Sequence, residues 1–387
     1  METNFFRKAA ESRGIIVFLF VELVALFVFV LFPDYPTIIY STSALFGLYL
    51  VYKLPSDLIF GRKFFLGVVF LLPLFIFPIL TASPEYERVQ SLRTLFEVLN
   101  QGGNPYIGEK IFHEVGGEVV FGNFNNLPLT IPFYWITHFL TAHWGIEYLI
   151  LTNLLVRLLV CFVFMKTTPK LSQIQRLPFY LVFLFWGGEY PITTTFLIVA
   201  LLMYFFTSGI SSLRRISTIG FLPLLFGLGL LTKFFVIPIF FAFYYYLFFH
   251  LGKKRETGIH LLLIGSIALL MLVPFGLGNV IDSTILFNLN LGQRAVYATF
   301  YPNVFSGLLK WIGLESVYGV LAAGGFLFSV GFFDGDYFKK MIYVCFSFMI
   351  LMPTPEPQFL PILFYIVVVS KYSESYERVT HSFLSDR

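Results

Sequence analysis

Charged residues are scarce in this chain, at 12% of 387 residues, whereas an ordinary soluble domain contains about 25%. Hydrophobic residues make up 57% and aromatic residues 20%, and the mean hydropathy is +0.81. This composition excludes a disordered chain and predicts a protein that crosses a membrane many times. The net charge is only +4, and the basic residues are scattered, which argues against nucleic acid as a partner.

Cysteine and nucleotide-binding motifs are also scarce or missing. The two cysteines, Cys161 and Cys345, both lie in apolar runs, so we expect neither a disulfide framework nor a cysteine-based metal site. His113, His138 and His143 have spacings that fit no dedicated metal motif. The sequence has no GxxxxGK[ST] loop and no dinucleotide fingerprint, which argues against a nucleotide-driven pump and against an oxidoreductase.

Apolar runs long enough to form membrane helices recur along the chain. A bilayer core of about 30 Å needs about 20 mostly apolar helical residues, and by this measure the sequence predicts about twelve spans. The expected fold is an all-α, polytopic transmembrane helical bundle. The predicted spans are approximately 14–32, 37–53, 63–82, 145–166, 176–188, 190–208, 216–232, 233–250, 258–280, 315–333, 337–353 and 357–371.

The predicted spans also define the sidedness of the chain. The predicted parts are an N-terminal transmembrane hairpin (1–62) that begins with a retained anchor, a transmembrane module (63–371) and a tail (372–387). The connections that share one side are rich in Lys and Arg, so the positive-inside rule assigns that side and both termini to the cytoplasm. The long connections 81–127 and 280–314 then lie outside, provided that the Pro-interrupted segment 127–141 does not cross.

The first long outer loop contains a helical pattern. Its apolar positions repeat at helical spacing: Val89, Leu92, Leu95, Phe96 and Leu99. Polar residues lie between them, which predicts an amphipathic interfacial helix with its apolar face on the membrane surface. Gly102 and Gly103 are expected to end this helix.

Two carboxylates, those of Glu85 and Glu87, stand in the first turn of this helix. In one interpretation they stabilise the helix, because negative charge near a helix N-terminus complements the macrodipole. In the other, a carboxylate fixed beside a span takes a proton from a hydroxyl group that attacks a lipid-borne substrate. The residues alone leave both interpretations open.

A series of short segments adds a resemblance to these patterns. In chain order they are SPEYERV, GGNPY, NNLPLTIPFYWI, GGEYPITTTFLIVALLMYFF, LLFGLGLLTKFFVIPIFF and PTPEPQFLPILF. Their order and sidedness resemble the GT-C superfamily of integral-membrane glycosyltransferases, in particular the polyprenyl-phosphate-sugar-dependent mannosyltransferases. The family usually begins the first outer loop with Asp; Glu85 stands at the matching position here, and Glu87 is the alternative register.

The resemblance implies that residues 63–371 form a catalytic module. It would move a sugar, with mannose as the first candidate, from a polyprenyl-phosphate donor to a lipid-linked or glycan acceptor on the non-cytoplasmic face, with inversion. The implied catalytic base is Glu85 or Glu87. The implied substrate-binding residues are Lys233, Arg294, Glu189, Asn104, Tyr106 and Gln358. The one candidate cofactor is a divalent cation, and Glu189 is a candidate contact either to the acceptor or to that metal.

Other interpretations remain open at this stage. Lys233 is either a ligand of the donor phosphate or an interfacial lysine whose charged end reaches water. A transporter of lipids or glycans would need polar residues near the bilayer midplane, where only Glu22 and Arg157 stand out, and a structural pair explains these two equally well. A non-catalytic membrane subunit would tolerate the loss of the outer-loop carboxylates.

Overall fold

The protein is represented by a computed structural model. It describes residues 45, 47–49, 51–61, 84–115, 118–124, 126–143, 146–185, 190–207, 215–290, 304–333, 337–352 and 359–376. The predicted spans 14–32 and 63–82, and most of 37–53, lie outside the described residues. The described residues are mostly helical, which confirms the all-α class, with one short hairpin as an addition that the sequence did not predict.

The helices and strands are as follows. They are α1 (Ser56–Ile59), α2 (Pro84–Asn100), β1 (Ile111–Val115), β2 (Glu118–Gly122), α3 (Thr130–His143), α4 (Ile146–Thr167), α5 (Gln173–Phe185), α6 (Tyr190–Thr207), α7 (Arg215–Leu230), α8 (Val236–Tyr245, continued by a π-helical turn Tyr246–His250) and α9 (Lys254–Leu272, continued by a 3-10 turn Val273–Phe275). They continue with α10 (Leu277–Val280, followed by a π-helical turn Ile281–Leu286), α11 (Phe287–Leu289), α12 (Val304–Trp311), α13 (Tyr318–Phe332, preceded by a 3-10 turn Glu315–Val317), α14 (Tyr337–Leu351) and α15 (Leu360–Tyr376).

Two helical segments are long and apolar enough to cross a membrane, Lys254–Phe275 and Glu315–Phe332. Only 11% and 28% of their most apolar windows are buried within the protein, so most of their apolar surface points outward. The shorter apolar helices lie within predicted spans: Thr193–Thr207, Gly220–Leu230 and Val236–His250. The described helices therefore agree in position with the predicted spans from 145–166 onward, while a twelve-span bundle is not confirmed.

The main core of the described residues forms around α15. Residues 360–369 of this helix are all buried, and a helix that is buried on every side belongs at the centre of a bundle. The ring of Tyr365 lies 5.6, 5.2 and 5.5 Å from the rings of Phe164, Phe183 and Phe196. Much of the aromatic content therefore fills the space between helices. The helix extends to Tyr376, past the predicted end of the span at 371.

Two of the basic connections, around Lys53 and around Gln175, contact distant parts of the chain. The Lys53 ammonium donates a hydrogen bond at 2.9 Å to the hydroxyl of Tyr343, in the middle of α14. The Gln175 side-chain amide, at the start of α5, donates to the backbone carbonyl of Phe60 at 3.0 Å. These two contacts join parts of the chain that are 290 and 115 residues apart in sequence.

The helix that the sequence predicted in the first outer loop is α2, and it ends at the predicted glycines. The Gly103 N–H donates to the Val98 carbonyl at 2.8 Å, and the Gly102 N–H donates to the Leu99 carbonyl at 3.0 Å. Gly102 has φ +72°. This pair of bonds with a left-handed residue is the Schellman motif, which glycine forms at the least cost.

Gly102→Ala is expected to lower the free energy of unfolding by about 1 kcal/mol, because a Cβ atom is unfavourable in the left-handed conformation. The matched control is Gly220→Ala in α7, where a Cβ meets nothing within 4 Å and alanine is the better helix former. Midpoints of thermal unfolding in detergent compare the two variants. An equal loss of stability in both would contradict the capping role of Gly102.

The apolar face of α2 does not lie on the membrane surface as predicted, because other parts of the protein cover it. Leu92, Leu95 and Phe96 are buried, whereas Arg93 and Glu97 are exposed and form an ion pair at 2.9 Å. We call the buried group around this face the first-loop cluster. Its members are Leu92, Leu95, Phe96, Val98, Tyr106, Ile111, Phe124, Tyr134 and Val280.

Two neighbouring elements complete the cover of α2. The antiparallel hairpin β1–β2 pairs Phe112 with Phe121, and the Phe112 N–H donates to the Thr94 hydroxyl oxygen of α2 at 3.0 Å. The Pro-interrupted segment 127–141 forms most of α3, and Tyr134 of α3 is buried in the first-loop cluster. The segment thus packs with the first loop.

Candidate functional site

Lys233 lies in the turn between α7 and α8. The turn closes because the Thr232 hydroxyl donates to the Leu228 carbonyl at 2.6 Å and the Lys233 N–H donates to the Gly229 carbonyl at 3.2 Å. Gly229 lets the chain double back, since a Cβ there would lie 3.0 Å from the methyl groups of Val236. This close approach accounts for the glycine at position 229.

The ammonium group of Lys233 is held by the first outer loop. The side chain is half-buried, and its Nζ donates to the Oδ1 atom of Asn126 at 2.9 Å. The ammonium group therefore has a partner within the protein. The interfacial interpretation expected it to extend into water instead. One lysine ammonium has three donors, so the bond to Asn126 leaves capacity for an anionic ligand.

Asn104 and Tyr106 are brought into the same network. The Asn104 Oδ1 atom accepts from the Tyr106 N–H at 3.0 Å, and its Nδ2 donates to the Phe275 carbonyl at 2.7 Å. The Tyr106 hydroxyl donates to the backbone carbonyl of Asn126 at 2.9 Å. Burial raises the pKa of the Tyr106 phenol well above its usual range, so this phenol acts as a neutral donor.

Asn126 joins the two halves of the network and was missed by sequence reasoning. Its side chain contacts Lys233, 107 residues later in the sequence, and its backbone contacts Tyr106, 20 residues earlier. The sequence feature that could have identified Asn126 is its position as an amide residue directly before the apolar, Pro-containing segment 127–141. We call Asn104, Tyr106, Asn126 and Lys233 the outer-loop site.

The other predicted site residues lie wholly or partly outside the described residues. Glu85 and Glu87 stand in the first turn of α2, which begins at Pro84, and their side chains lie outside the described residues. Glu189, Arg294 and Gln358 lie outside the described residues altogether. Of the predicted set, the structure therefore brings together Lys233, Asn104 and Tyr106.

The remaining polar residues singled out from the sequence make local contacts. The ring of His138 stacks on Phe96, with 4.9 Å between centroids, and the Nε2 atom of His113 lies 3.4 Å from the Asn123 carbonyl. Arg157 donates to the Leu184 carbonyl at 2.9 Å, while Glu22 lies outside the described residues. In the described part of the chain, no group of three or more His, Cys, Asp or Glu side chains could hold a metal ion.

The chemistry of the outer-loop site suits an anion. It combines one ammonium group with neutral amide and phenol groups, and charge-assisted hydrogen bonds of this kind favour phosphate oxygens. The described residues define a mostly helical protein with two helices able to cross a membrane. Beyond that class, no protein family, curated protein or solved structure was found to match this chain.

Tyr106→Phe is expected to lower the free energy of unfolding by about 1 kcal/mol, because it removes the donor to the Asn126 carbonyl and keeps the ring. The measurement is the midpoint of thermal unfolding in detergent. Tyr245→Phe is the control, since the Tyr245 hydroxyl has no hydrogen bond to the described residues. Equal midpoints for the wild type and Tyr106→Phe would mean that the network does not stabilise the loop.

Proposed function

We propose that this protein is a GT-C-type membrane glycosyltransferase. It moves a sugar, with mannose as the first candidate, from a polyprenyl-phosphate donor to a lipid-linked or glycan acceptor on the non-cytoplasmic face. The single observation that carries the proposal is the hydrogen bond from Lys233 to Asn126. It places a cation against the first outer loop, where this reaction needs a ligand for the donor phosphate.

The reaction itself demands little covalent chemistry from the protein. The acceptor hydroxyl oxygen forms a bond to the anomeric carbon, the bond from that carbon to the phosphate oxygen breaks, and the electron pair leaves with the polyprenyl phosphate. The configuration inverts in this single displacement, through an oxocarbenium-like transition state. The protein must hold both partners in line and remove the acceptor proton.

Each residue in the proposal has a separate task. Glu85 accepts the proton of the attacking hydroxyl, with Glu87 as the alternative base. Lys233 binds the donor phosphate, and Arg294 is the second candidate for it. Asn104 and Tyr106 shape the loop around the site. Glu189 and Gln358 are proposed contacts to the acceptor, since both belong to outer connections in the predicted topology.

The direct test is sugar transfer by the purified protein. The protein is incubated with a panel of radiolabelled polyprenyl-phosphate sugars and with a crude lipid and glycan acceptor fraction, and the label is followed into the acceptor. A nucleotide sugar serves as the control donor and is expected to be inactive. Binding of the lipid donor without transfer, together with its movement across liposome membranes, would indicate a transporter instead.

The predicted sidedness has its own test, for which the structure selects the positions. Lys110, in the first outer loop, and Lys254, at the start of α9, are both exposed. In a chain without other cysteines, Lys110→Cys is expected to react with an impermeant thiol reagent added outside intact cells, and Lys254→Cys only after lysis. The reverse pattern would place the outer-loop site in the cytoplasm and contradict the proposal.

A further inference from the structure

A second cationic site lies at the far end of α8 from the outer-loop site. Lys233 precedes the first residue of α8, whereas Tyr245, the last residue of the α-helical part, contacts the Lys340 ammonium 3.6 Å from its ring centroid. Lys340 is one helical turn from Tyr343 in α14. Tyr343 in turn binds Lys53. This end of the bundle is the side that the basic connections predict to be cytoplasmic.

Three tyrosine rings surround the Lys53 ammonium at this end. Its Nζ lies 5.2 Å from the ring centroids of Tyr49 and Tyr52 and 5.5 Å from that of Tyr343. It also donates a hydrogen bond to the Tyr343 hydroxyl at 2.9 Å. A ring face stabilises a cation through its quadrupole, whereas Tyr343 contacts the ammonium through its hydroxyl group. We call Tyr49, Tyr52, Lys53 and Tyr343 the lysine–tyrosine cage.

The cage carries positive charge without a neutralising partner in the described part of the chain. A second ammonium, that of Lys371, lies 4.9 Å from the centroid of the Tyr52 ring. Lys371 forms an ion pair with Glu374 at 3.1 Å, whereas the exposed Lys53 has no carboxylate within ion-pair distance among the described side chains. Glu374 neutralises the charge of Lys371, so the ammonium of Lys53 is the charge that favours a bound anion at the cage.

The donors of the cage match a phosphate group. The Tyr343 hydroxyl oxygen accepts from Lys53, so its own proton points to a different partner. The Lys53 ammonium has two further protons to donate. The ammonium and the hydroxyl together supply donors from two directions, as a tetrahedral anion requires. Both hydrogen bonds are charge-assisted, because the acceptor is an anionic oxygen.

An exposed apolar surface begins next to the cage. The Tyr343 ring stacks on Phe333 with 4.9 Å between centroids, and Phe333 directly follows the candidate membrane span Glu315–Phe332. On that span Phe328 and Phe332 are each 65% exposed and stack at 5.0 Å. A cationic cage thus leads into an aromatic strip on a helix able to cross a membrane.

We propose that the lysine–tyrosine cage binds the phosphate of an anionic phospholipid whose acyl chain packs along Phe328 and Phe332. The headgroup and the chain of one lipid contact both surfaces at once, which a free phosphate cannot do. Lysine residues at the cytoplasmic surface of a membrane protein commonly attract anionic lipids. The site is independent of the outer-loop site and of the proposed sugar transfer.

The test measures lipid binding by the full-length protein in phosphatidylcholine nanodiscs, with fluorescent phosphatidylglycerol as the probe. Lys53→Met is expected to weaken probe binding about fivefold, the usual effect of one lysine near an anionic membrane surface. Tyr343→Phe keeps the ring and removes the hydroxyl, and it is expected to weaken binding about two- to fivefold. Lys53→Arg should retain most of the affinity.

The matched control is Lys166→Met. Lys166 is also exposed and lies over a single ring, that of Phe162, at 5.3 Å. Lys166→Met therefore changes the net charge by the same amount as Lys53→Met and leaves the cage intact. Equal weakening in Lys166→Met would indicate unspecific attraction and overturn the proposal. Unchanged binding in Tyr343→Phe would overturn it as well, and this variant serves even if Lys53→Met fails to fold.

Inorganic phosphate separates the two possible sources of the anion. At a concentration equal to that of the probe, inorganic phosphate is expected to leave phosphatidylglycerol bound, because it gains nothing from the aromatic strip. Displacement of the lipid at equal concentration would identify a site for a soluble anion and overturn the assignment to a lipid. No sugar transfer is measured, so the outcome does not depend on the proposed function.

Discussion

Replacing Glu85 by Gln is expected to lower the rate of sugar transfer about 100-fold or more, the usual scale for removing a general base. Glutamine keeps the shape and the hydrogen bonding of the side chain but has no basicity near neutral pH. The measurement is single-turnover transfer of a radiolabelled sugar from the polyprenyl-phosphate donor. Donor binding, measured separately, should remain unchanged, because the base acts on the acceptor.

Glu87→Gln is the matched control for this experiment. Both carboxylates stand in the first turn of α2, so both substitutions remove one favourable charge from the same helix N-terminus, which costs a few tenths of a kcal/mol. If the two carboxylates only stabilise the helix, both variants are expected to lose the same small amount of stability, and neither is expected to lose transfer rate. Full activity of Glu85→Gln with loss in Glu87→Gln would assign the base to Glu87, and activity in both would end the carboxylate hypothesis.

Lys233→Met is expected to weaken donor binding about 10- to 100-fold. A charge-assisted contact to phosphate contributes roughly 1.5–3 kcal/mol, and each 1.4 kcal/mol changes affinity tenfold. Methionine preserves the length of the side chain and its apolar packing in the turn between α7 and α8. Equilibrium binding of a fluorescent polyprenyl phosphate measures the effect, and Lys233→Arg should retain part of the affinity.

Lys110→Met is the control for the loss of charge. Lys110 lies in the first outer loop and is exposed, so its substitution changes the net charge without altering the outer-loop site. If Lys233→Met binds the donor as well as the wild type but yields less folded protein, Lys233 only anchors the loop through Asn126. Arg294 would then be the next candidate for the phosphate.

The local structure that follows from hydrophobic patterning was predictable from the sequence. Apolar runs identified the positions of the helices from 145–166 onward, and the helical repeat of Leu92, Leu95 and Phe96 identified α2. The paired glycines after Asn100 identified its end, since the Schellman motif needs a left-handed residue at one fixed position. Each of these features depends on residues that are close in sequence.

Features that depend on distant residues were not predictable in the same way. An apolar helical face has the same pattern whether lipid or protein covers it, so the sequence could not show that Tyr106 and Val280 cover α2. Asn126 likewise gains its place only through Lys233, a residue 107 positions away. The hairpin β1–β2 did have a local signal, two adjacent glycines between β-forming runs.

The first outer loop imposes an order on the biogenesis of this protein. The Asn104 side chain needs the Phe275 carbonyl, 171 residues later, and the Tyr106 carbonyl needs the Ser283 hydroxyl, 177 residues later. At ribosomal speeds of about 5–20 residues per second, the loop waits roughly 10–30 s after its own synthesis for these partners. Its apolar side chains need shielding during that interval. The loop is among the earlier segments to be translated, yet it acquires its final contacts only after the chain beyond residue 283 has been made.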